Sequence, residues 1–494
     1  MLDALISAWA QLFMLSNFVA LFVGVIIGVV IGAIPGMTVV IAVALALPFT
    51  FGMPPLTSLL LLIGIYKGGI YGGSITAITI KTPGTAAAAC TILDGYALTR
   101  KGQSRKALDM ALYASMAADI ISNLSLILFT GMLASLALDF GPPEYFTLSL
   151  FALTIIAGVS GTKLLNGVSA AMLGLLFATI GLDLLYGQPR LTFGRHELFS
   201  GISFIPLLIG LFAMPEIIGY YANARLGENA GEVVEARGEP LSFKEFIACW
   251  KSIVRGSIIG VILGAIPGLG ATPSSFLSYS EARRKSPHPE RFGTGELEGV
   301  AAAEAGNNGV AGSTLIPLLS LGVPGDVVTA ILLGAFMIHD LKPGPLLFQE
   351  NLDIIYALFI GIMFSTPFMF VVGKAAIKAF SRINEVPRQL LFPAVFAFCL
   401  YGTYAVNSSM FDVGIMLGMG VLGYIMQLCR VPAAPFVIAF ILGPMLEDSF
   451  RQSLITSEND PMIFFSSPIT IVFWLLTLAS IVFAWKQSRN LKAL

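Results

Sequence analysis

A thirteen-residue glycine motif occurs twice in the chain. GVIIGVVIGAIPG at residues 24–36 returns as GSIIGVILGAIPG at residues 256–268, with ten of the thirteen positions identical at a constant offset of 232. Glycine recurs every fourth residue: Gly24, Gly28, Gly32 and Gly36, then Gly256, Gly260, Gly264 and Gly268. On a helix that spacing draws a face without side chains, against which another backbone packs closely. Pro35 and Pro267 stand one residue before the last glycine and are expected to end or break each helix. Two copies about half a chain apart imply a duplicated fold. The stripes read as packing surfaces and as markers of where each half begins, more than as binding loops.

The surrounding composition decides the solvent. Residues 4–66 contain no Asp, Glu, Lys or Arg, and the whole chain of 494 residues is 56% hydrophobic and 12% charged. A membrane span needs about 20 apolar residues, so this block alone crosses more than once. The fold class is therefore an all-α polytopic membrane protein. The start, MLDALISAWAQLF, has neither a basic region nor an A-x-A cleavage site, so the first helix is expected to direct insertion. The net charge of −1 excludes nucleic acid as an expected partner and leaves membrane lipid as the surroundings. Four scattered cysteines and three dispersed histidines give no disulfide framework and no zinc site. No GxxxxGK[ST], GxSxG or HExxH pattern occurs, so neither an ATPase nor a hydrolase is expected, and no cofactor. Transport energy would then come from an ion gradient or from the substrate's own gradient.

Apolar runs predict full spans near 107–138, 145–161, 164–186 and 198–222, and again near 353–373, 390–407, 411–428, 433–447 and 464–485. Between Leu56–Tyr66 and the next span, residues 68–91 are rich in small and hydroxyl side chains and read as interrupted or re-entrant structure. DGYALTRKGQSRK at 94–106 reads as a basic polar loop. The second half repeats the order of a small, polar cluster followed by Pro-Gly: NNGVAGST at 307–314, then VPG at 323–325. Setting GGS at 72–74 against AGS at 311–313 leaves the two spacings different by two residues. Lys and Arg favour the cytoplasmic side. If each stripe unit and each Pro-Gly unit returns to the side it entered, the basic stretches at 100–106, 281–291 and 374–388 and the basic C-terminus all fall inside. The organisation expected is a first transmembrane repeat at 12–222, a cytoplasmic linker at 223–251, an inverted second repeat at 252–450, and a C-terminal helix and tail at 464–494. That gives about 11–12 transmembrane helices, with broken or re-entrant helical hairpins. Reading residues 12–48 as one span plus a half-helix changes the count.

Inverted units with broken helices place a site near the bilayer midplane. Half-helix N-termini suit carboxylates, hydroxyls add hydrogen bonds, and unwound carbonyls hold Na⁺. The candidate substrate-binding residues are Gly72, Gly73, Ser74, Thr76, Thr82, Gly84 and Thr85 from the first half, with Asn307, Asn308, Gly309, Ser313, Thr314 and Gly325 from the second. A coupling Na⁺ would lie near the same clusters. The alternative is that these small residues only permit tight helix packing. Lys81 either meets a substrate carboxylate or snorkels to the interface. Glu298 and Glu304 either bind a coupling cation or pair locally. Asp326 reads as a helix cap, and Asp119 with Asn123, four residues apart, as a helix–helix hydrogen-bonding pair.

GAIPG at 32–36, YGGSITAITIKTPG at 71–84, DGYAL at 94–98, GAIPGLG at 264–270, NNGVAGSTLIPLLSLGVPG at 307–325 and HDLKPGPLLF at 339–348 together resemble the large membrane (permease) subunit of the bacterial tripartite tricarboxylate transporters. The resemblance runs from about residue 17 to about residue 450. It implies a secondary active transporter in the bacterial inner membrane, taking up tricarboxylates such as citrate, or related organic carboxylates, by alternating access and symport with Na⁺ or H⁺. It also implies two partners: a small four-helix membrane subunit and a periplasmic substrate-binding protein. A gradient-independent carboxylate channel or exporter is the alternative. Lys81 departs from the family pattern, in which a neutral, often asparagine-like residue is expected there.

Overall fold

The computed structural model describes residues 2–34, 37–159, 164–183, 185–223, 238–383 and 388–492. Helices dominate. In the first half they are α1 Leu2–Leu12, α2 Leu15–Gly32, α3 Val39–Ala46, α4 Pro55–Ile80, α5 Ala88–Arg100, α6 Ser104–Ala137, α7 Pro142–Val159, α8 Leu164–Ala178 and α9 Phe204–Asn223. In the second they are α10 Phe243–Ala248, α11 Trp250–Ala265, α12 Ala271–Lys285, α13 Leu297–Ser313, α14 Leu315–Leu321, α15 Val327–Ile338, α16 Leu347–Glu350 and α17 Leu352–Ile383. The chain then runs through α18 Arg388–Asn407, α19 Met410–Leu428, α20 Ala433–Thr456 and α21 Pro468–Lys492. A two-stranded antiparallel hairpin, β1 Gly181–Leu182 and β2 Pro189–Arg190, is the sheet among the described residues. Among the described residues, eight helices are long and apolar enough to cross a membrane: α2, α4, α6, α9, α17, α18, α19 and α20. Four shorter apolar helices accompany them, so the expected 11–12 crossings are reached only by counting these (eight plus four). The chain is an all-α polytopic membrane protein.

Three expectations need correcting. Residues 68–80 are not interrupted: α4 runs unbroken for 26 residues through both Gly-Gly pairs. Its 18-residue apolar window is fully buried, so neighbouring backbones fill the space that the glycines leave and the helix satisfies its own hydrogen bonds. The break comes later, at residues 81–87, after Lys81 closes α4 in the left-handed conformation with φ 61°. The Asn307–Thr314 cluster likewise lies on α13, not on unwound chain, up to its last residue. Nor are residues 94–106 a loop. Most are helical, in α5 and the start of α6, with only residues 101–103 turning between. Asp94 is the reason this polar stretch stays ordered. One of its carboxylate oxygens accepts from the backbone N–H groups of Gly293, Gly295 and Glu296, and the other from the Tyr279 hydroxyl at 2.8 Å. The span expected over 164–186 stops at Ala178, where the hairpin begins, and the one over 433–447 continues to Thr456. Of the linker, residues 224–237 lie outside the described residues, as do Pro35 and Gly36; the rest of it holds α10, opened by a Ser242/Glu245 capping box.

The glycine stripes explain the core. Gly24, Gly28 and Gly32 of α2 lie against α4, whose own Gly64, Gly68 and Gly72 face back; a Cβ at Gly64 would stand 2.6 Å from the Leu21 carbonyl oxygen. Gly256, Gly260 and Gly264 of α11 lie in the same way against α13, and a Cβ at Gly260 would stand 2.7 Å from the Gly309 Cα. Each stripe is therefore a seat for a polar helix. The contacts also fix the register between the halves. Gly24 faces the Leu61 carbonyl and Gly256 that of Ala302; Gly28 faces Ile65 and Gly260 faces Gly306; Gly32 faces Gly69 and Gly264 faces Val310. All three pairs share an offset of 241, and so do Pro83-Gly84 and Pro324-Gly325. The two-residue discrepancy in the sequence came from aligning Ser74 with Ser313. The contacts set Gly72 against Ser313, Gly73 against Thr314 and Lys67 against Asn308.

Candidate functional site

The long helix α6 organises the polar interior. Ser115, Asp119, Ser122 and Asn123 follow one another at helical spacing on one face, and all are buried. That face meets α4, α5, α13 and α17 at three junctions.

At the first, Lys67 of α4 is only 1% exposed and donates to Asp119 at 2.6 Å and to the Asn123 side-chain oxygen. Thr366 of α17 donates to the other Asp119 oxygen, and the Asn123 amide reaches the Ile362 carbonyl at 3.3 Å. The ammonium and the carboxylate thus neutralise one another, and each makes a further hydrogen bond, Lys67 to Asn123 and Asp119 from Thr366, which supports a buried pair. At the second, the Ser122 hydroxyl donates to the Gly309 carbonyl at 2.6 Å and accepts from the Gly312 and Ser313 N–H groups at 3.0 and 2.9 Å. A side chain of α6 is thereby inserted into the backbone ladder of α13 near its end. At the third, Glu304 of α13 is wholly buried; Thr91 of α5 donates to one carboxylate oxygen and Ser115 to the other at 3.0 Å, while Asn308 donates to Ser115 at 2.7 Å.

The two polar helices run antiparallel. Tyr66 of α4 donates to Asp326 at 2.9 Å and lies 3.2 Å from the Thr314 hydroxyl, whereas Ser74, further along α4, faces Glu304, earlier on α13. Asp326 caps α15 through a capping box with Thr329, the role expected from sequence. The Pro-Gly breaks pack on this centre: Gly84 donates its N–H to the Gly73 carbonyl at 3.1 Å, and Gly325 accepts from the Gly268 N–H at 2.7 Å.

The sequence-expected residues fall into distinct places. Gly72 and Gly309 face the stripes of α2 and α11, where they serve backbone contact. Thr76 turns its hydroxyl back onto its own helix, and Ser313 turns its hydroxyl onto its own helix and, at 3.4 Å, the Gly260 carbonyl of α11. Thr82 is exposed beyond the end of α4, and Thr85 caps the Ala88 N–H at the start of α5. Gly73, Gly84, Thr314 and Gly325 meet at the breaks; Ser74 and Asn308 meet at Glu304; the Asn307 amide nitrogen is buried without a hydrogen-bond partner. Lys81 is exposed, its ammonium 5.9 Å from the Tyr96 ring. Glu298 accepts from Ser252 and Ser286. Sequence reasoning missed Lys67, Tyr66, Thr91, Ser115 and Ser122. Lys67 had a signal: it is the first charge after residues 4–66.

A second polar feature lies away from these junctions. Arg190 and Arg451 each contact both Asp183 and Glu447, at 2.7 Å in three of the four pairs and 3.5 Å between Arg190 and Asp183. This ring borders a cavity of about 710 Å³ between the hairpin, α15 and α20, walled by Phe199, Phe204, Met337 and Phe440.

A family model described as the Tripartite tricarboxylate transporter TctA family matches residues 18–438. The chain belongs to this family. It is 37% identical over 444 residues to an uncharacterized 52.8 kDa protein in the TAR-I ttuC' 3' region of Agrobacterium vitis, covering 90% of this chain and 88% of the relative. A protein in the TAR-II ttuC' 3' region of the same organism, also uncharacterized, is 33% identical over 225 residues, or 46% of this chain and 93% of that one. No solved structure matches. The chain is therefore a membrane component of a transporter family whose systems have three parts.

Proposed function

We propose that this chain is the transmembrane subunit of a binding-protein-dependent secondary transporter that takes up tricarboxylates or related organic carboxylates across the bacterial inner membrane. Its partners are a small four-helix membrane subunit and a periplasmic substrate-binding protein, and a gradient of Na⁺ or H⁺ drives it. Residues 12–222 and 252–450 act as two inverted repeats that alternate access, with 223–251 as the cytoplasmic linker and 464–494 as an added C-terminal helix.

One observation carries the reading. Two antiparallel polar helices, each seated on its own glycine stripe in the same register, meet beside two Pro-Gly breaks in the packed centre of an apolar bundle. Burying Lys67, Asp119 and Glu304 among apolar helices is expensive, and such groups mark substrate and ion pathways. Of the two breaks, the second places the Asp326 carboxylate on its helix start, which disfavours another anion there. The first leaves the start of α5 capped only by the neutral Thr85, so the substrate carboxylate docks at residues 84–88, with Thr82 and Thr85 at hand.

Liposomes holding this chain, the small subunit and the liganded binding protein should accumulate citrate-like anions only when a Na⁺ or H⁺ gradient is imposed. Accumulation with no gradient would replace this reading with the channel or exporter.

A further inference from the structure

Resting on the transport reading above, we propose that Glu304, Thr91, Ser115 and Ser74 form a sodium site that ties the two halves together. The Glu304 carboxylate is 0% exposed and, among the described residues, makes no ion pair. A carboxylate withdrawn from water without a countercharge is costly. The hydroxyls of Thr91 and Ser115 and, at 3.4 Å, the Asn308 amide are neutral donors that stabilise its negative charge but do not cancel it. Ser74, also 0% exposed, faces the same carboxylate without closing a hydrogen bond, so its hydroxyl oxygen is free to serve another partner.

The donor set is made of oxygen: two from Glu304 and one each from Thr91, Ser115 and Ser74. Oxygen-only sets suit hard cations. A single negative charge selects a monovalent one, because a divalent ion would leave a net positive charge in the apolar interior. The hydroxyls need only rotate their protons away to ligate it. Thr91, Ser115 and Ser74 come from α5, α6 and α4, whereas Glu304 comes from α13, so the set is complete only while the two halves are docked. Sodium bound there favours that docked state, which is how its gradient would be read by the transporter.

The site has a built-in contrast. In the register that joins the halves, Lys67 stands where Asn308 stands on α13. At Lys67 the cation is a side chain of the protein, held by Asp119, Asn123 and Thr366. At Asn308 the neighbouring acid has no such side chain.

The test is sodium binding by the purified full chain in detergent, without substrate. It is read as ²²Na⁺ retention and as the rise in unfolding temperature when Na⁺ replaces choline at constant ionic strength and fixed pH. Wild type should bind saturably, with K⁺ a poor substitute. Glu304→Gln should lose the response. Thr91→Val and Ser115→Ala, which keep the carboxylate, should each raise the half-saturating Na⁺ concentration by about tenfold, the loss of one interaction with a charged group. Absence of saturable binding in wild type, or half-saturation unchanged in all three variants, overturns the proposal. Gradient-driven uptake that survives in Glu304→Gln overturns the sodium site and leaves the transport reading standing. Saturable sodium binding without carboxylate uptake leaves the site and removes the substrate.

Discussion

Lys67 and Asn308 occupy equivalent positions on two helices that share a seat, a register and a burial, yet the charges beside them are handled in opposite ways. On α4 the charge is closed on itself: Lys67 and Asp119 pair at 2.6 Å, with Asn123 accepting from the ammonium and Thr366 donating to the carboxylate. On α13 the acid is held by neutral donors alone, the hydroxyls of Thr91 and Ser115 and the Asn308 amide. A duplicated scaffold therefore carries one permanent internal salt and one open charge. A closed pair contributes to the uniqueness of the packing, whereas an open charge leaves room for a partner that comes and goes.

The comparison breaks most visibly at Asp119. Asp119→Ala leaves the Lys67 ammonium buried and unpaired, which should cost about 3–5 kcal/mol and appear as loss of monodisperse protein on size exclusion. The double variant Lys67→Met with Asp119→Leu should recover most of that loss; equal behaviour of the single and double variants would show that the pair is not the source. Next in size is the seat. Gly260→Leu drives a side chain into the Gly309 backbone and should lower stability by about 3 kcal/mol or more, whereas Gly131→Leu, with nothing within 4 Å, should be neutral in detergent unfolding. The serines sharpen the contrast further. Ser122→Ala removes the acceptor of the Gly312 and Ser313 N–H groups and one donor to the Gly309 carbonyl, and should cost about 1–3 kcal/mol; Ser74→Ala, whose hydroxyl has no hydrogen-bond partner, should unfold at nearly the wild-type temperature. The reverse order would dissolve the distinction between closed and open junctions.

The smallest effect lies at the periphery. The Lys106 ammonium, with the Ser242 hydroxyl and N–H, holds the Glu245 carboxyl at about 2, below its ordinary 4.5. Its stabilisation is therefore present above pH 4.5 and lost as the pH falls toward 2. A small difference between wild type and Glu245→Gln in protease resistance of the linker at neutral pH should vanish across that window.

Much of the fold was legible because the solvent imposes it. Residues 4–66 without charge and two glycine stripes specify spanning helices and a duplicated close approach before any contact is known. The capping role of Asp326 and the helix–helix hydrogen bonding of Asp119 and Asn123 were legible from local spacing. The unbroken α4 was not, because local propensity treats Gly68, Gly69, Gly72 and Gly73 as breakers, and only their packed neighbours make them the residues that fit: the α2 backbone at Gly68 and Gly72, Val39 at Gly69, and residues 84–85 at Gly73. The ladder register was hidden by two serines that resemble each other but face different neighbours. The Glu304 junction joins Glu304 to Thr91 across 213 positions, with no periodicity to announce the pair. Lys67 was visible as a charge but not as a partner, since its acid lies 52 residues away on another helix.

The glycine seats also have a mechanical consequence. Helices that interlock through side chains can change partners by a rotamer flip, one knob at a time. Helices that touch backbone to backbone, as α2 does on α4, or backbone to short side chains such as Ala305 and Ser313, as α11 does on α13, have no long knobs to rearrange, so each pair is a stiff plank with its polar edge turned inward. Bending is left to the joints beside the planks, at residues 81–87 and 322–326, and rocking to the edges where the planks meet at α6. The same glycines that remove side chains from the core thereby decide which parts of the molecule are able to move.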